Sequence, residues 1–158
     1  MFREMIRKKQ ALSKEACEEV LLQAPRGVLS VLGDDGYPYG MPMNFLYCPE
    51  NGKLYFHGGK QGHKIDAIKK CDKASFCVCD EGYCNEGEWN LHIRSVIAFG
   101  RIRFVEDASE AEDICRRLSR KYTADEAYIQ KEIDRFLKGT LCFELIPEHL
   151  TGKLVDES

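Results

Sequence analysis

The chain has 158 residues, 44% of them hydrophobic, with 23 Lys and Arg against 26 Asp and Glu. This length supports one domain with a core of its own and is short for two, so residues 1–158 are read as a single domain, and the slight acidic surplus leaves no basic excess for a nucleic-acid backbone. The charged start Met1-Phe2-Arg3-Glu4-Met5-Ile6-Arg7-Lys8-Lys9 lacks the apolar centre of an export signal, and no later stretch is long enough to span a bilayer. Neither nucleic acid nor membrane is expected as a partner, and a cytoplasmic location is.

After Ser13, the residues Cys17, Val20, Leu21 and Ala24 recur at i, i+3, i+4 and i+7, which predicts an amphipathic helix closed by Pro25 and Gly27. Residues 27–32 and 39–47 are β-rich and flank Asp34-Asp35-Gly36, where Gly36 suits a positive φ, so they read as a hairpin. Pro49-Glu50-Asn51-Gly52 supplies a second turn before a strand at 53–57, giving a meander of at least three strands. A short helix at about 62–71 and a strand at 74–79 follow, then an irregular polar stretch, 80–90, around Trp89.

From 92 to 105 the residues alternate, with Val96, Ala98, Ile102 and Phe104 on one face and Gly100 marking a bulge or bend. Asp107-Ala108-Ser109-Glu110 forms a capping box ahead of Ala111, Ile114, Cys115 and Leu118. Thr123-Ala124-Asp125-Glu126 opens a second helix in the same way, with Ile129, Ile133, Phe136 and Leu137 as its buried stripe and Gly139 at its end. A last strand spans 140–146 and a tail, 147–158, follows it. Hairpin-linked strands broken by a few helices predict an α+β domain with an antiparallel β-barrel centre and peripheral helices.

Two segments carry candidate chemistry. His57-Gly58-Gly59-Lys60-Gln61-Gly62-His63-Lys64 leaves a strand, passes three glycines and enters a helix. Free N–H groups at a helix N-terminus, close backbone approach at glycine and a cationic side chain together suit a phosphate. A solvated surface loop gives the same pattern, and neither the nucleoside-triphosphate loop nor the dinucleotide fingerprint is matched. In Gly40-Met41-Pro42-Met43-Asn44-Phe45, a proline within a strand implies an edge or bulge with backbone groups to spare. Those groups suit the rim of a flat heterocycle; the alternative is a structural bulge over the core.

The eight cysteines read first as small buried hydrophobes in a reducing compartment. Cys77, Cys79 and Cys84 make a C-x-C-x4-C pattern near Cys71 and His92, which lacks a zinc-knuckle spacing. Two buried thiols on one face of a strand are the simpler account, and no metal is assigned.

Taken in order, the Asp34-Asp35-Gly36-Tyr37-Pro38 turn, Pro42-Met43-Asn44-Phe45, Tyr55-Phe56-His57 with Gly62-His63-Lys64, and Ser95-Val96-Ile97-Ala98-Phe99-Gly100 resemble the pyridoxamine-phosphate-oxidase-like flavoproteins. The tail Pro147-Glu148-His149-Leu150-Thr151-Gly152-Lys153 is similar to that of their nitroimidazole-resistance branch. The resemblance implies a split β-barrel homodimer with one FMN in each of two clefts between subunits. It places Met41, Pro42, Met43, Asn44 and Phe45 against the isoalloxazine, His57 and Gly58 at the flavin or its ribityl chain, His63 and Lys64 at the phosphate, and Ser95 at the flavin of the partner subunit. The vitamin-forming oxidases of that superfamily carry a C-terminal Trp and Arg and an arginine where Met41 stands here; this chain has neither.

The expected activity is an FMN-dependent, nitroreductase-like transfer of two electrons from a nicotinamide donor, NAD(P)H, to a small acceptor. His57 is the candidate proton donor, since imidazole titrates near neutrality. The alternative is a non-catalytic protein that holds FMN, or haem through a histidine such as His57.

Overall fold

The computed structural model describes residues 1–156. Its strands are β1 (Arg26–Leu32), β2 (Pro38–Asn44), β3 (Leu46–Cys48), β4 (Lys53–Gly59), β5 (Lys73–Cys79), β6 (His92–Phe104) and β7 (Thr140–Asp156). Its α-helices are α1 (Lys14–Gln23), α2 (His63–Lys70), α3 (Ala108–Arg120) and α4 (Glu126–Phe136). Every strand pairing is antiparallel, in the order β2-β1-β5-β6-β7-β4-β3. β2 and β3 therefore lie at opposite ends of the ladder, yet only Phe45 separates them in the chain. Consecutive Cα atoms are about 3.8 Å apart, so the sheet has to curl until its two ends meet. The architecture is an α+β split barrel, as expected.

The pleat divides the strands' side chains between inside and outside. Leu29 and Val31 of β1, Phe76 and Val78 of β5, Val96 and Ala98 of β6, and Phe143 and Leu145 of β7 fill the interior with Phe45 and Phe56. Phe76 is central, meeting Phe45 edge-on at 4.8 Å and Phe56 at 5.2 Å. A smaller core lies outside the barrel, where α3 covers β3, β4 and β7 with Ile114 and Cys115 packed on Cys48, Tyr55 and Cys142. On that side Glu144, with no exposure, is held by Lys53 at 3.0 Å and Arg103 at 2.7 Å, the pairing a buried carboxylate needs. No helix among the described residues is long and apolar enough to cross a membrane.

Several local expectations hold. Ser13 caps α1 by accepting from the Ala16 N–H, and Cys17, Val20, Leu21 and Ala24 are buried. Asp107 caps α3 through the Glu110 N–H. Pro42 lies on β2, a sheet edge, where its missing N–H costs no ladder bond. The β6–β7 register shifts between Phe99 and Gly100, leaving Glu148 of β7 as the extra residue. A Cβ at Gly100 would strike the Ile146 carbonyl, so glycine is required there.

Other expectations are corrected. The run 39–47 is two strands, because Phe45 turns the chain from one end of the sheet to the other; the three-strand meander is instead two separate hairpins, β1–β2 and β3–β4. The cap of α4 is Asp125, which accepts from the Tyr128 N–H, while Thr123 Oγ1, two residues earlier, accepts from the Asp125 N–H. Ile129 and Ile133 are buried but Phe136 is 48% exposed, because α4 packs chiefly on α3 rather than on the sheet. Residues 147–156 are strand rather than tail, since β6 is long enough to pair with them; 157–158 lie outside the described residues. Cys77 and Cys79 do share a face of β5, but it is the outer, exposed one, because their neighbours Phe76 and Val78 take the interior.

The corner at Phe45 is pinned from the α3–α4 junction. Tyr122 Oη lies 3.2 Å from the Phe45 N–H, which donates to it, and donates in turn to the Pro25 carbonyl at 2.6 Å. Replacing Tyr122 with Phe strands these groups, and urea denaturation is expected to show a loss of about 1–3 kcal/mol; an unchanged midpoint would show that the corner holds without the hydroxyl.

Candidate functional site

Where the curled sheet closes, β2 and β4 approach without a ladder between them, and Lys64 sits in that split. Its Nζ lies 3.7 Å from Met43 Sδ of β2 and 5.5 Å from the ring centroid of Phe143 of β7. On β4, a Cβ added at Gly58 would come within 2.8 Å of the same Nζ, so the glycine is what lets the ammonium settle against the strand. No carboxylate is within ion-pair reach of Lys64 among the described residues, and burial pushes its pKa below the ordinary lysine value. Half-burying a cation without a counter-charge is costly unless an anion is meant to complete it.

The helix that carries Lys64 begins openly. Gly62 precedes it at φ +122°, a conformation suited to glycine, and offers no side-chain cap. Ile65 and Asp66 donate to the Gly62 carbonyl, while the N–H groups of His63 and Lys64 have no partner among the described residues. His63 is turned the other way, stacked on Tyr39 at 4.3 Å with its Nε2 3.5 Å from Asp34. The structure thus brings Lys64, Met43 and Gly58 together and ties the His63 ring to the β1–β2 hairpin.

His57 faces away from the barrel interior, since Phe56 and Gly58 on either side of it point inward. It lines a cavity of about 290 Å³ between α3 and α4 with Cys115, Ser119, Tyr128 and Glu132. Although its ring reaches solvent, the surrounding protein and, secondarily, the Lys64 charge hold its pKa below the ordinary imidazole value. The ring is therefore neutral at pH 7. A larger cavity of about 460 Å³, lined by Leu12, Cys17, Tyr47 and Leu150 among others, lies beside α1 and is lined by none of the candidate site residues.

The remaining site residues scatter around the β2 end. Met41 is in the core, Pro42 is exposed on the edge strand, and Asn44 accepts from Arg26 Nε at 2.8 Å. Phe45 is wholly buried, with its N–H and carbonyl engaged by Tyr122 and Lys121. Ser95 stands on β6 opposite Cys79 and Lys153, at the end of β7 away from Cys142 and His57, so one chain does not bring it to the split. Trp89 is 80% exposed, and no group of three or more His, Cys, Asp or Glu side chains among the described residues is arranged to hold a metal.

Lys121 went unread in the sequence. Its Nζ lies 3.6 Å from the Phe45 ring centroid and donates to the Phe45 carbonyl at 3.1 Å, and burial lowers its pKa to about 8. Lying at the end of a helix among other cations, it gave no pattern; only the folded corner reveals its partner.

The model of the pyridoxamine 5'-phosphate oxidase family matches residues 13–154. The chain belongs to that family. Among solved structures it is similar to a protein provisionally assigned to 5-nitroimidazole antibiotic resistance from Bacteroides thetaiotaomicron, with 23% identity, a TM-score of 0.80, and 92% of this chain and 87% of that one covered. It is also similar to an FAD-binding protein from Mesorhizobium loti (22% identity, TM-score 0.66, 92% and 97% covered) and to an FAD- and haem-binding protein from Mycobacterium smegmatis (20%, 0.73, 95% and 74%). Comparison with curated proteins finds no match.

The histidine offers a direct check. Its ring resonances, followed by NMR, should titrate below pH 6.5, and Lys64→Met should raise the midpoint part of the way, because burial, the larger cause, persists. Below 6.5 the unfolded chain binds more protons at this site than the folded one, so this contribution to stability is lost as pH falls through that window. A titration at or above the ordinary value would contradict the assigned environment.

Proposed function

We propose that this protein is a cytoplasmic FMN-dependent oxidoreductase of the nitroreductase-like type, working as a homodimer, that moves two electrons from a nicotinamide donor to a small acceptor. The observation that carries this reading is Lys64, a half-buried cation with no carboxylate partner among the described residues, lodged against Gly58 in the barrel split. That arrangement fits a phosphate, and one such cation suits the single terminal phosphate of FMN. The unpartnered N–H groups at the start of α2 add to the same positive field.

When bound, FMN supplies the two-electron chemistry, and the protein's part is placement and electrostatics. Met43 and the edge strand β2 offer an apolar side chain and spare backbone groups for the ring. His57, which lines the α3–α4 cavity, would hold a proton for an acceptor entering there. Homodimerisation is supported by the bare outer face of β1, β5 and β6, where Val28, Cys77, Ile97 and Phe99 are exposed in adjacent strands. Ser95 lies on that face, so a second copy seated there can receive it.

Titration of FMN and riboflavin by flavin fluorescence tests the phosphate assignment. A charge-assisted contact is worth roughly 1.5–3 kcal/mol, so Lys64→Ala should weaken FMN about ten- to hundredfold and leave riboflavin unchanged. Lys60→Ala, in the exposed loop before α2, is the control and should lose little. Equal weakening of both ligands, or none, would remove Lys64 from the phosphate site. Anaerobic NADH or NADPH should bleach the bound flavin; a flavin that resists both, or a Soret band on adding haemin, would favour a storage or sensing protein that uses His57 as a ligand.

A further inference from the structure

α3 and β7 each bury one thiol where they pack together. Cys115 and Cys142 sit in the small outer core with Cys48, Tyr55, Val105 and Ile114, and their sulfurs are 3.4 Å apart. A disulfide bond is about 2.05 Å long, so closure asks the two sulfurs to approach by a little over an ångström. Among the described residues no other pair of cysteine sulfurs is in such contact; Cys77 and Cys79 are exposed neighbours on one face of β5, and Cys84 is exposed as well.

The two thiols differ in access. Cys142 is fully buried, whereas Cys115 lines the cavity of about 290 Å³ that His57 also lines. A small molecule entering between α3 and α4 meets Cys115 first. Their acidities differ in the same sense: the contact between the two sulfurs lowers the Cys115 pKa and, with burial, raises that of Cys142, whose S–H also lies 3.6 Å from the Ala111 carbonyl that can accept it.

We propose that Cys115 and Cys142 form a peroxide-oxidisable dithiol, converted by hydrogen peroxide entering the α3–α4 cavity into a disulfide that fastens α3 to β7. The Cys115 thiolate attacks one peroxide oxygen; an S–O bond forms, the O–O bond breaks, and the departing hydroxide takes up a proton as water. Cys142 then attacks the sulfenic sulfur, the S–S bond forms, and the S–O bond breaks. The hydroxyl leaves with the Cys142 proton as a second water. Two thiols give up two electrons, and one peroxide becomes two waters. The cross-link encloses α4, which lies between the two cysteines in the chain, and so tethers both helical walls of the cavity beside His57.

The test uses the wild-type protein. Peroxide is raised until the exposed cysteines oxidise, free thiols are alkylated under denaturing conditions, and the unreduced digest is mapped by mass spectrometry. The expected product joins the Cys115 and Cys142 peptides, two hydrogens lighter than their sum, and dithiothreitol reverses it. The thermal midpoint should rise on oxidation and return on reduction, because the cross-link restricts the unfolded chain. In Cys142→Ala, Cys115 should instead be trapped by dimedone as a sulfenic acid. If Cys77, Cys79 or Cys84 oxidise while Cys115 and Cys142 are both alkylated, or if Cys115 passes to sulfinic acid without the cross-link, the proposal is overturned; the wild-type map decides this even if the variant does not fold.

Discussion

Phe45 is the sole residue between two strands that occupy opposite ends of a seven-stranded sheet, and the barrel follows from that fact. The chain has to leave β2 and begin β3 within one residue, so the ends of the sheet are brought together with no ladder between β2 and β4. The ring of Phe45 drops into the core against Phe76, which fixes the interior, and its backbone groups are taken up by Tyr122 and Lys121, which fix the α3–α4 junction outside. One corner thereby couples core, seam and helical cover. Changes at this corner should move all three together.

The seam is also where the charge balance is unusual. Glu144 is matched by Lys53 and Arg103, and the half-buried Lys121 has the Phe45 carbonyl and ring for partners. Lys64, by contrast, stands half-buried against a methionine, a glycine and an aromatic ring, next to a helix start whose first N–H groups have no partner among the described residues. A fold carries such an uncompensated cation at a cost, and an anionic ligand is the natural compensation. On the far side of β4, His57 opens into a separate cavity, so a ligand bridging both has to pass around the end of that strand. Gly59, where a Cβ would meet only the Gln61 carbonyl at 3.9 Å, leaves room for it there.

Much of this was legible in the sequence, for reasons that can be named. Short-range signals survived folding: the Ser13 and Asp107 caps, the positive φ at Gly36, the shift at Gly100 and the proline on an edge strand are decided by a few neighbouring residues. The ordered motifs also led to the family. What failed depended on distant partners. A run such as 39–47 has strand character throughout, and only the β4 pairing of Leu46 and Tyr47 shows that it breaks at Phe45. Cys77 and Cys79 share a face in either reading, but alternation alone does not say which face is wet; that is set by where Phe76 finds Phe45 and Phe56. His63 and Lys64 looked alike as neighbours at a helix start, yet successive residues on a helix diverge by about 100°, and Asp34 and Tyr39 claim the histidine.

We propose that a flavin is held at the barrel split of a two-subunit assembly. The most direct test is size-exclusion chromatography with in-line light scattering and visible absorbance, run on protein mixed with excess FMN. The two visible flavin bands should elute with a species of twice the chain mass. Colourless protein at either mass, with all the FMN in the small-molecule volume, would contradict the flavin reading, and flavin on a strict monomer would contradict the shared site.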